Sequence, residues 1–146
     1  MTSREPMASD GEVLDESTSW SLLAQAQVGR LAVCAPGDID IFPLNYVVDD
    51  GTIVFRTAEG TKLVEVVMTG RIAFEADGVD AEAGQAWSVV VKGYARVLER
   101  FDDIYRVADL PLVPWNAGPK ERFVRITPEQ VTGRRFRVPP PSSGRS

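Results

Sequence analysis

Asp49-Asp50-Gly51 stands between two runs of alternating apolar residues, 39–48 and 52–57. An Asp-Gly pair suits the positive-φ positions of a tight two-residue turn, so this is the strongest hairpin signal in the chain. It commits the middle of the sequence to two antiparallel strands. Pro43 lies inside the first of them and lacks an N–H, which implies an edge or a bulge there rather than a fully paired centre.

The same reading extends outward. Residues 30–35 form a strand that ends at Pro36-Gly37, and residues 71–76 form another through Ile72 and Phe74. A long strand follows over 86–99, with Trp87, Val89 and Val91 on one face and Ser88, Val90 and Lys92 on the other, bent at Gly93. Two closing strands, 122–126 and 130–137, are joined by Thr127-Pro128. Helical spacing is confined to 14–27 (Trp20, Leu23, Ala24, Ala26, with Asp15 or Ser17 as N-cap), 61–69 (Leu63, Val64, Val67, Met68, closed by Gly70) and a short stretch at 101–109. Residues 77–84 read as an acidic, solvated loop, and 110–120 as a Pro-rich segment carrying Trp115. Six or seven short strands with few helices predict a mainly β fold, an antiparallel barrel that is closed or nearly so. One domain is expected over 14–137, between a tail at 1–13 and a Pro/Ser-rich tail at 138–146.

Composition narrows the function. The chain of 146 residues has no histidine and one cysteine, so His-based triads, His ligation of metals and thiolate clusters are all excluded. Demanding chemistry would have to come from a bound organic cofactor. A net charge of −5 argues against nucleic acid, which needs a basic face. No apolar run reaches the roughly 20 residues of a membrane span, and no basic-then-apolar leader opens the chain. A cytoplasmic protein without a membrane partner is expected. Cys34, between Val33 and Ala35, reads as a small buried apolar residue, and its solitude fits a reducing compartment.

One stretch looks like an anion site: Phe55-Arg56-Thr57-Ala58-Glu59-Gly60-Thr61-Lys62-Leu63. A strand passes through a short Gly/Thr/Lys loop into a helix start, whose free amides attract phosphate. Thr57 and Thr61 offer hydroxyl donors, while Arg56 and Lys62 offer charge. On residue types alone, a plain strand-to-helix turn with solvated Arg and Lys accounts for it as well.

Several segments share a family likeness when taken in order. They are Val28-Gly29-Arg30-Leu31-Ala32-Val33, Phe42-Pro43-Leu44-Asn45-Tyr46-Val47-Val48-Asp49, and Phe55-Arg56-Thr57 with Gly60-Thr61-Lys62-Leu63. Arg71-Ile72-Ala73-Phe74-Glu75 and Trp87-Ser88-Val89-Val90-Val91-Lys92-Gly93 complete the set. With this order and spacing the chain resembles the pyridoxamine 5'-phosphate oxidase-like family of flavin-binding split barrels, in its small actinobacterial flavin- and deazaflavin-reductase branch.

The resemblance implies a homodimeric split β-barrel with flavin, FMN or alternatively deazaflavin, at the subunit interface. Phe42, Pro43, Leu44, Asn45 and Tyr46 would line the ring and ribityl chain, largely through backbone groups. Arg56 and Thr57 would lie along the ribityl-phosphate, with Thr61 and Lys62 on the phosphate. Trp87 and Ser88 would approach from the partner subunit, Trp87 as an interface anchor. Trp115 and Arg134 or Arg135 match late-chain residues near the cofactor only loosely. Proton transfer would fall to a backbone amide, Tyr46 or solvent. Gly60-Thr61-Lys62 stands where the true oxidases carry Ser-Arg-Lys, and Trp87-Ser88 where they carry Arg-Gln. The resemblance therefore implies a flavin-dependent oxidoreductase acting on a small molecule other than pyridoxamine phosphate, or a non-catalytic flavin-binding, storage or sensing protein.

Overall fold

The computed structural model describes residues 11–35, 37–58, 70–98 and 121–139. Seven strands are present: β1 (Gly11–Leu14), β2 (Val28–Ala35), β3 (Asp38–Asp49), β4 (Thr52–Ala58), β5 (Arg71–Asp80), β6 (Gln85–Val97) and β7 (Glu121–Arg137). One helix, α1 (Glu16–Gln25), lies between β1 and β2. All pairings are antiparallel, in the order β1-β7-β4-β3-β2-β5-β6, and β6 pairs back onto β7 to close a six-stranded ring. The expected barrel is therefore present.

The Asp-Gly hairpin forms as predicted. Asp50 and Gly51 both take positive φ, 52° and 72°, and Val48 pairs with Ile53 across the turn. Asp15 caps α1, its carboxylate accepting from Thr18 N at 2.8 Å. That bond holds the Asp15 carboxyl below its usual pKa. The helix lays Leu22 and Leu23 against the barrel core, which is built from inward residues of every ring strand, among them Leu31, Tyr46, Phe55, Phe74, Val89, Val91 and Ile126.

Four expectations need correction. The chain is ordered into a strand from Gly11, because β1 pairs with the second half of β7 where β4 has already left it. Acidic residues 77–80 extend β5 instead of looping, since each has a β6 partner from Ser88 back to Gln85. The closing strands are one: β7 runs through Thr127-Pro128, and a register shift opposite Lys92 and Gly93 absorbs the irregularity. A Cβ on Gly93 would collide with the Thr127 carbonyl, so glycine is what lets β6 and β7 meet at that bulge. Finally, Cys34 is exposed, because Leu31 and Val33 take the inward positions and alternation turns Cys34 out. The helices expected at 61–69 and 101–109 lie outside the described residues.

Candidate functional site in the barrel split

The strands β3 and β4 pair over only four residues each. Tyr46 to Asp49 face Phe55 back to Thr52, and the ladder then stops. Before Tyr46, β3 belongs to β2, from Ala35–Asp38 to Val28–Asn45. Beyond Phe55, β4 belongs to β7, through Arg56–Phe123, Thr57–Arg122 and Ala58–Glu121. The two strands thus part like an open seam. Among the described residues, no strand covers the edge of β3 that faces β4 before Tyr46, nor the edge of β4 that faces it after Phe55. An open strand edge presents N–H and C=O groups that need partners. The lips of this seam are Phe42 to Asn45 on one side and Arg56 to Ala58 on the other.

Alternation sorts the side chains of the first lip. Phe42, Leu44 and Tyr46 pack on the core, while Pro43 and Asn45 point outward. Pro43 has a strand on one side only, as its missing N–H requires. Tyr46 is fully committed: its hydroxyl donates to the Leu23 carbonyl at 2.6 Å, and its ring meets Phe74 edge-on at 4.8 Å. Burial, reinforced by the charge of Glu75, pushes its phenol pKa well above the ordinary value. Its hydroxyl therefore satisfies one of the terminal carbonyls of α1, and only its backbone borders the seam.

On the second lip, Arg56 points outward, with its guanidinium carbon 6.0 Å from the centre of the Phe123 ring. Thr57 follows, half-buried. Thr61, Lys62 and Trp115 lie outside the described residues.

Trp87 and Ser88 are on β6, three strand positions from β3 by way of β2 and β5. At about 4.8 Å per strand this is the opposite wall of the ring. One chain does not bring them to the seam. Trp87 does not stand on the outer face either: it packs against the core, over Gly78, where a Cβ would come within 2.6 Å of the indole nitrogen. Ser88 points outward, in register with Asp77 on β5 and Arg134 on β7. Arg135 pairs in register with Trp87 and reaches Glu12 at 3.8 Å.

Two polar clusters escaped the sequence reading, because each joins residues far apart in the chain. Buried Arg125 donates to Asp49 Oδ2 at 3.0 Å and to Thr52 Oγ1 at 2.6 Å, pinning the closed end of the seam to β7. Arg30 bonds Glu75 at 2.9 Å and Asp77 at 3.5 Å on the outer face of β2 and β5. Burial, then the hydrogen bond and charge of Asp77, raise Glu75 to about 7, against the lowering pull of Arg30. Outward alternation of charged residues was the only available sequence signal for either cluster.

A barrel closed at one end of a strand pair and parted at the other is a split barrel. The family model for pyridoxamine 5'-phosphate oxidase matches residues 15–135, and the chain belongs to that family. The FAD-binding protein of Mycobacterium smegmatis has a similar structure, with a TM-score of 0.81 and 41% identity over 88% of this chain and 100% of that one. A FAD-binding protein of Mesorhizobium loti follows at a TM-score of 0.67 and 25% identity, covering 86% of this chain and 96% of its own. An uncharacterized protein of Mycobacterium tuberculosis is 33% identical over 128 residues, 84% of each chain.

Proposed function

We propose that the protein is a flavin-dependent oxidoreductase that holds the flavin along the seam between β3 and β4, within an assembly of two copies. The parted ladder carries this reading. It leaves a strand edge open for a flat heterocycle rich in hydrogen-bonding groups, beside a cation-bearing lip suited to a phosphate tail. In this proposal the backbone of Phe42, Pro43, Leu44, Asn45 and Tyr46 orients the ring. Arg56 and Thr57 run along the ribityl-phosphate, and Thr61 and Lys62 hold the phosphate. The second copy supplies the β6 segment of Trp87 and Ser88 from the far wall of its own barrel, Ser88 through its outward side chain and Trp87, packed on its own core, through its backbone.

A bound flavin supplies hydride chemistry that a chain without histidine lacks. The protein's own part is to bind, orient and exclude water. FMN is the form the proposal takes, with deazaflavin as the alternative. The FAD of the two relatives shares its ring, ribityl chain and first phosphate with FMN, so the lips would meet the same groups in either. Free FMN, FAD and deazaflavin, each titrated into the purified protein, test the reading through absorbance and quenching of the intrinsic tryptophan fluorescence. Failure to take up any of them overturns it.

One observation favours the second reading, a non-catalytic flavin-binding, storage or sensing protein. The Tyr46 hydroxyl is bonded to Leu23, which withdraws the side chain best placed by sequence to donate a proton. Flavin binding without turnover of NAD(P)H or reduced deazaflavin, against a panel of quinones and nitro compounds, selects that reading. Among the described residues no helix is long and apolar enough to cross a membrane. A reducing cytoplasm suits the exposed thiol of Cys34.

A further inference from the structure

The second lip has a cationic neighbour on β7. Ile53 and Phe55 of β4 are fully buried in the core, and so are Val124 and Ile126 of β7. Side chains alternate across a strand, so Thr57 and Arg122, each two positions beyond the last core residue, continue those inward rows. They are partners in register, and both are half-buried. Arg56 and Phe123, on the rung before, belong to the outer face. One ladder thus carries a guanidinium on each face, Arg56 outside and Arg122 inside.

We propose that Arg122 is a second phosphate-binding cation of the seam, acting across Thr57 from the inner face while Arg56 acts from the outer one. This rests on the flavin reading above and adds to it a residue of β7, a strand that forms neither lip.

Position is the first argument. Beyond Phe55, β4 has β7 on one edge and the seam on the other. Arg122 therefore stands one strand back from the opening, about 4.8 Å away. Cross-strand partners hold their Cβ atoms about 5 Å apart, which the stem of an arginine spans. Its guanidinium can pass over the short Thr57 side chain to the open edge. Residue type is the second argument. An apolar residue at 122 would prolong the core, whereas a guanidinium offers five N–H donors in a planar fork that matches phosphate oxygens in pairs.

Charge is the third. The described residues of the lip and its β7 partners are Arg56, Thr57 and Ala58 with Glu121, Arg122 and Phe123. Without Arg122 they would sum to zero, Arg56 against Glu121. With it the sum is positive, as binding of an anion requires. Asp40 and Asp38 also stand on an inward row, that of Phe42 and Leu44 on β3. Asp40, the nearer, lies six residues before Tyr46, whereas Thr57 lies two beyond Phe55. At about 3.3 Å per residue it is about 13 Å farther along the seam, more than the Debye length of about 8 Å. At the closed end, Arg125 and Asp49 neutralise each other.

Titration of FMN and riboflavin into the wild type and into Arg122→Gln, followed by absorbance and tryptophan fluorescence, reads the assignment. FMN should bind Arg122→Gln roughly tenfold more weakly than the wild type, the worth of one charge-assisted bond, while riboflavin binds both alike. Added salt should weaken FMN binding less in Arg122→Gln than in the wild type. Arg122→Lys, which keeps the charge without the planar fork, should fall between the two. An unchanged ratio of FMN to riboflavin affinity in Arg122→Gln overturns the assignment and leaves the flavin reading standing. So does an equal loss of both ligands, or an Arg122→Gln that no longer melts cooperatively, since either makes Arg122 a residue of the fold. A wild type that takes up neither ligand overturns the flavin reading and the assignment with it.

Discussion

Arg125 and Asp49 form an ion pair at 3.0 Å with only 10% and 14% of their side chains exposed. It joins the β3–β4 hairpin to β7, and Thr52 adds a bond to each partner, donating to the Asp49 carbonyl and accepting from Arg125. This knot sits at the end of the seam where the ladder is intact.

Asp49→Ala should lower unfolding free energy by about 3–5 kcal/mol, because it strands a guanidinium away from water. Replacing both partners with apolar residues, Asp49→Leu with Arg125→Met, should cost far less than either single change. Urea unfolding of the three variants checks this, and equal costs for the single and double changes would sink it.

Tyr46→Phe removes the donor to the Leu23 carbonyl while keeping the ring against Phe74. The orphaned carbonyl at the end of α1 should cost about 1–3 kcal/mol. Thermal melts should show the loss, and flavin affinity should hold, since only the backbone of Tyr46 is assigned to the seam.

Gly93→Ala drives a methyl into the backbone carbonyl of Thr127, which no rotamer change relieves. A loss of about 1–3 kcal/mol or more is expected from overpacking. Amide exchange should quicken first along the paired stretch of β6 and β7 around Lys92 and Gln130.

Glu75 links folding to pH. Its pKa in the fold, about 7, stands above its ordinary 4.5, so the fold favours the protonated form. Its contribution is complete below the ordinary value and fades as pH rises through about 7. Glu75→Gln should therefore lose less thermal stability than the wild type between acid and mildly alkaline buffer. Parallel melting profiles would contradict the assignment.

Arg56→Leu should weaken FMN binding roughly tenfold or more, the worth of one charge-assisted bond to phosphate. Riboflavin, which lacks the phosphate, should bind the wild type and the variant alike. An equal loss for both ligands would move Arg56 from the phosphate to the ring or to the fold.

Much of the barrel was legible because its signals are local. Alternation around Asp49-Asp50-Gly51, the N-cap at Asp15 and the inward row of Val89 and Val91 each depend on neighbours within a few residues. The errors share the opposite cause. Thr127-Pro128 looked like a break, and residues 77–80 like a loop, because the strands that hold them in register come from elsewhere in the chain. Cys34 was read from its apolar neighbours, although its face follows from the inward placement of Leu31 and Val33.

The sequence by itself determined a histidine-free, antiparallel, mainly β domain, while the residues of the two lips were singled out through the family resemblance. Local stereochemistry and alternation are encoded within single segments, so they can be read there. Only the tertiary structure decided that the lips part before Tyr46 on one strand and beyond Phe55 on the other, that the Tyr46 hydroxyl is spent on Leu23, and that Trp87 lies on the far wall. Those outcomes depend on which strands share an edge. That choice is set by how the whole ring closes over one core, and no segment carries it alone.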